Sequence, residues 1–123
     1  MSESILNQEI NKYINVQSGL DRIRGNKKLF VKMLELFMDS KEFDSLDKCL
    51  QKKDFEQAAK EAHAIKGMTG NLSMTVLFEI STKLMLQLRE NIFEESTVSE
   101  YYDALKNTRL CVKDLITILS SES

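Results

Sequence analysis

The chain has 123 residues, 17 Lys plus Arg against 19 Asp plus Glu, and a formal net charge of −2. A length of this order suits one domain, and a composition 42% hydrophobic and 29% charged reads as a folded globular protein rather than a disordered one. The balanced charge supplies no broad basic field, which argues against a nucleic-acid partner. Cys49 and Cys111 are too few for a disulfide framework or a structural zinc site. No apolar run approaches the roughly 20 residues that span a bilayer. The polar start, Met1-Ser2-Glu3-Ser4, has no signal-peptide pattern, so a cytoplasmic protein with reduced thiols is expected.

Proline is absent and glycine occurs four times, so little interrupts helices. A short first helix is predicted over 4–16, with Ile5, Leu6, Ile10, Tyr13 and Ile14 apolar. A break holding Gly19 and Gly25 follows, with Asn26 as a cap. The stripe from Leu29 to Leu50 predicts a long helix over 26–52, bent near Ser40. Asp54 with Gln57 forms a capping-box pattern that opens a helix over 54–72. Ser73 and Thr75 supply the next break and cap, before a helix over 75–90. Thr97 with Glu100 opens the last, over 97–120. The expected fold is all-α: an antiparallel four-helix bundle with a short additional N-terminal helix, in a single domain.

His63 is the only histidine. At about 100° per residue, Phe55, Ala58, Ala62, Ile65, Met68 and Leu72 point to one side of their helix, and His63 lies roughly 145° from their mean direction. It should therefore face outward. Ala59 lies one turn before it, Gly67 one turn after and Gly70 two turns after, so small residues leave the imidazole clear for a large partner. Lys66 stands on the adjoining face, where it can set an ammonium beside the ring. An exposed imidazole with a nearby cation suits phosphorylation on a ring nitrogen.

The string His63-Ala64-Ile65-Lys66-Gly67 resembles the motif of histidine-containing phosphotransfer (HPt) domains, His-x-Leu-Lys-Gly. Gly19-Leu20-Asp21-Arg22 with Gly25, the Leu29-to-Phe37 stripe and the stretch from Leu46 through Asp54 to Ala62 are also similar to that family, over about residues 16–90. The resemblance implies a phosphorelay intermediate. His63 would accept a phosphoryl group from the aspartyl phosphate of one receiver domain and pass it to another, on the ring nitrogen distal to the backbone. Lys66 would help neutralise the phosphate and Gly67 would give the receiver room. The chain would be a monomeric carrier rather than an enzyme, with response-regulator receivers and hybrid sensor histidine kinases as partners. It would hold no intrinsic cofactor, the Mg²⁺ being carried by the receiver.

Ala59, Gly70, Ile5 and Leu6 are candidates for the partner-binding surface. Arg89 is a candidate phosphate neighbour, although the helical wheel does not separate it from Gln87 and Lys83. The chain departs from the family pattern at Ser73-Met74, where glycine then alanine is usual, and at Met85, where an acidic residue is common. Two rival readings are a helical adaptor that binds receivers without taking phosphate, and the dimeric phosphoacceptor domain of a histidine kinase. The intact His63 and Lys66 oppose the first. The second needs an ATP-binding domain that 123 residues do not hold.

Overall fold

A computed structural model describes residues 2–121, with side chains from Gln8 onward. The described residues form seven helices and no strand: α1 (Ser2–Tyr13), α2 (Val16–Asp21), α3 (Lys27–Met38), α4 (Glu42–Lys52), α5 (Phe55–Asn71), α6 (Thr75–Arg89) and α7 (Glu95–Ser121). The side chains of Ile5 and Leu6, two of the candidate partner-binding residues, lie outside the described set.

One apolar core joins these helices. Helix α5 packs between α4 and α6, while α7 packs on α6, α3 and α1. Each helix contributes a stripe at helical spacing: Phe30, Leu34 and Phe37 from α3, Phe43, Leu46 and Leu50 from α4, and Leu77, Leu84 and Leu88 from α6 are all buried. Phe37 meets Phe43 edge-on at 5.1 Å between ring centroids, which closes the corner between α3 and α4. The Tyr102 hydroxyl donates to the Asp47 carboxylate, tying α7 to α4.

Several boundaries differ from those expected. The expected helix over 26–52 is two helices, because the chain turns at 39–41 and the Ser40 hydroxyl bonds back to the Leu36 carbonyl at 3.1 Å. Asn26 and Asp54 do cap, each accepting a backbone N–H three residues on. The first helix ends at Tyr13, and Asn15 then caps a separate short α2 by accepting the Ser18 N–H. Gly19 therefore sits inside a helix rather than in a break. A Cβ there would lie 2.9 Å from two atoms of the buried Phe30 ring, so glycine is what lets α2 approach α3.

Helix α6 begins after Met74, which has no side-chain cap, and neither Ser73 nor Thr75 plays that part. Ser73 instead takes a left-handed conformation, φ 56°, that ends α5. Its N–H bonds to the Gly70 carbonyl and that of Met74 to the Thr69 carbonyl, the paired pattern of a Schellman ending. Helix α7 starts two residues before Thr97, whose side chain is buried in the core with its hydroxyl unpartnered. Thr97 is thus a core residue and not a cap.

Candidate functional site

Seventeen residues long, α5 buries Ala58, Ala62, Ile65 and Thr69 and leaves His63 exposed in its middle. The Thr69 hydroxyl folds back onto the Ile65 carbonyl at 2.8 Å, so the packed side of this helix presents no free polar group at that point. The outward side carries the titratable residues.

His63 opens onto a groove of about 600 Å³ between α5 and the C-terminal end of α6. Phe55, Glu56, Ala59 and Lys60 line it from α5, Leu88 and Arg89 from α6, and Asn91 from the turn beyond. Phe55 stacks on Phe93 with ring centroids 5.7 Å apart, and this pair fixes the link after α6 against the start of α5. The backbone under Arg89 is held too. Asn91 adopts φ 60°, its N–H bonds to the Leu88 carbonyl at 3.0 Å, and the Ile92 N–H bonds to the Gln87 carbonyl at 2.8 Å. That is a second Schellman ending, built on asparagine, which tolerates the left-handed region better than most residues.

This anchoring delivers Arg89 to the histidine. Its Nη2 lies 3.4 Å from His63 Nδ1. Of the three candidates that the helical wheel could not separate, Arg89 alone reaches the ring. Gln87 is half-buried with its amide oxygen enclosed and unpartnered, and Lys83 does not line the groove. The Asn91 ending was the signal available in the sequence, since it fixes which residues occupy the last turn of α6.

Lys66 is half-buried one turn on and does not line the groove. Gly67 is exposed, and a Cβ built on it would have nothing within 4 Å. Ala59 is only 6% exposed and forms the floor of the groove rather than a free patch. Gly70 is half-buried, and a Cβ there would lie 3.1 Å from Phe78 Cε1, so the close packing of α5 on α6 accounts for this glycine. Met85, where an acidic residue is common in the resembled family, is 2% exposed and belongs to the core. An ionised carboxylate would be poorly tolerated there.

Among the described residues no group of three or more His, Cys, Asp or Glu side chains could hold a metal ion, and no helix is long and apolar enough to cross a membrane. No family model matches the chain, and no curated protein and no solved structure matches it either. What His63 does must be read from its own surroundings.

Proposed function

We propose that the chain is a histidine phosphotransfer protein that carries a phosphoryl group on His63 between receiver domains, in the manner of the family its motif resembles. The observation that carries this reading is an outward imidazole set beside an exposed glycine that nothing in the fold requires. A glycine inside a helix is less favourable than alanine by about 1 kcal/mol. At Gly67 no neighbour within the chain occupies the space that a methyl group would take. Clearance for a large docking partner accounts for that residue; packing does not.

In the transfer, the lone pair of His63 Nε2 attacks the phosphorus of a receiver aspartyl phosphate. The P–O bond to the aspartate breaks and its electron pair leaves with the carboxylate. The ring then sheds the proton on Nδ1 to solvent, leaving a neutral phosphoramidate. Return transfer reverses these steps onto a second receiver. Arg89, which meets the imidazole, and Lys66, one turn along α5, would offset the charge of the phosphoryl group. The acidic pocket and the Mg²⁺ belong to the receiver, so this chain is a carrier and not an autonomous enzyme. In the same reading α3 and α4 form one bent leg, and with α5, α6 and α7 they make an antiparallel four-helix bundle with α1 alongside. A monomer in the cytoplasm is the matching state.

The test is transfer from several radiolabelled, phosphorylated receiver domains to the wild type and to His63→Gln. Acid-labile label on the wild type alone is the expected outcome. Receivers that bind both proteins but label neither would replace the carrier with a phosphorylation-independent adaptor. Equal labelling of the two proteins would move the acceptor to another residue.

A further inference from the structure

Arginine has N–H donors and no acceptor, so the neutral His63 ring can meet Arg89 only by accepting at Nδ1. A neutral imidazole that accepts at Nδ1 carries its proton on Nε2. In that tautomer Nε2 has no free lone pair with which to attack phosphorus. Once Nε2 bears a phosphoryl group, the neutral ring can again accept from Arg89 at Nδ1. The contact therefore fits both ground states, the free ring and the phosphorylated one. It does not fit the species between them, because both attack by Nε2 and easy departure from phosphorus need a proton on Nδ1.

Resting on the carrier reading above, we propose that Arg89 is a positioning residue that latches the His63 ring at Nδ1 and so protects the phosphoramidate against spontaneous hydrolysis. In that hydrolysis the P–N bond breaks with its electron pair returning to Nε2, while a water oxygen bonds to phosphorus. Protonation of Nδ1 beforehand lets the ring leave as neutral imidazole rather than as an anion. A guanidinium donating to Nδ1 occupies the lone pair that this proton needs and opposes a second positive charge beside it. The charged residues that line the groove with His63 are Glu56 and Lys60 from its own helix α5 and Arg89 from α6; Lys66 stands one turn further along α5, outside the groove lining, and α4 contributes none. Arg89 is the one in contact with a ring nitrogen.

The experiment uses the full chain phosphorylated chemically with phosphoramidate, which needs no receiver. Loss of phosphate from His63 is followed across mildly acidic to alkaline pH for the wild type, Arg89→Met and Arg89→Lys, with circular dichroism to verify folding. Arg89→Met should hydrolyse roughly three- to tenfold faster at neutral to mildly alkaline pH, where Nδ1 of the adduct is mostly unprotonated, the size expected from one charge-assisted hydrogen bond at an exposed site. The difference should shrink as pH falls and the adduct takes up a proton on Nδ1 in both proteins. Arg89→Lys, which keeps a donor, should recover part of the protection. Superimposed pH profiles for the wild type and Arg89→Met would overturn the latch and leave the carrier reading standing. Divergent profiles together with no transfer from any receiver would uphold the latch and overturn the relay. Absence of any adduct on His63 would overturn both.

Discussion

Gly67 and Gly70 lie three residues apart on α5, and they answer to different demands. A methyl group at Gly67 would meet nothing within 4 Å, whereas one at Gly70 would press on the Phe78 ring. The same division runs through the two regions to which they belong. Around His63, a lone histidine, an unneeded glycine and an arginine held at the ring do nothing evident for the fold. At the turn from α5 to α6, the Ser73 carbonyl accepts the Asn15 N–H at 2.8 Å, its hydroxyl donates to Ser18 at 3.0 Å, and the Gly70 carbonyl accepts from Arg22. One region is free to be shaped by a partner. The other is spoken for by packing, so substitutions should separate chemistry from stability along this line.

The largest expected effect is complete. His63→Gln should abolish acid-labile phosphorylation while changing unfolding free energy by less than about 0.5 kcal/mol, as for an exposed residue away from caps and core. Urea unfolding beside the labelling assay checks both halves. Marked destabilisation would show that His63 serves the fold and would blur the division. Ile65, two residues on and fully buried, should behave in the opposite way. Ile65→Ala should cost about 2–5 kcal/mol by leaving a cavity, yet the fraction that remains folded should accept phosphate at the wild-type rate.

The sequence makes the packed side legible for a physical reason. The hydrophobic effect is roughly proportional to buried area, so apolar residues must recur at helical spacing, and the stripes on α3 to α7 follow the pattern they trace. The outward direction of His63 is the complement of that pattern on α5. The endings are harder to read. Lys53, Ser73 and Asn91 all take the left-handed conformation that usually calls for glycine, and Arg24 does so beside Gly25. With serine or lysine at such positions, nothing local announces the turn. Helix α2 is obscure for a related reason, since six residues are too few for a periodic stripe and its place is set by contacts with the distant α5–α6 turn. Arg89 belongs to the same class. Periodicity puts it near the right face, but its contact with Nδ1 depends on where α6 stops.

A smaller effect sharpens the contrast between the two glycines. Gly67→Ala should stabilise the protein by up to about 1 kcal/mol, since helix propensity improves and no neighbour must move. Gly70→Ala gains the same propensity, but the Phe78 ring must give way, and the net change should be zero or unfavourable. Urea midpoints at equal slope would report the difference. If Gly67 exists for a partner, a longer side chain there, as in Gly67→Gln, should slow receiver transfer without lowering stability. Unimpaired transfer would remove the argument that the open space is needed.

The smallest effect is a cancellation. A non-glycine residue in the left-handed region is strained by about 1 kcal/mol, so Ser73→Gly should relieve that strain. The same substitution removes the hydroxyl that donates to Ser18, a part-buried hydrogen bond worth about 1 kcal/mol, and it exposes the turn to glycine's greater freedom when unfolded. Alone, Ser73→Gly should be close to neutral. Made on a Ser18→Ala background, where the hydrogen bond is already gone, it should stabilise by several tenths of a kcal/mol. A double-mutant cycle isolates the coupling between the two hydroxyls. A coupling near zero would mean that serine stands at this ending without the compensation its hydrogen bond supplies. A clear coupling would mean that the turn uses serine in place of glycine because that side chain also fastens α2 to the end of α5.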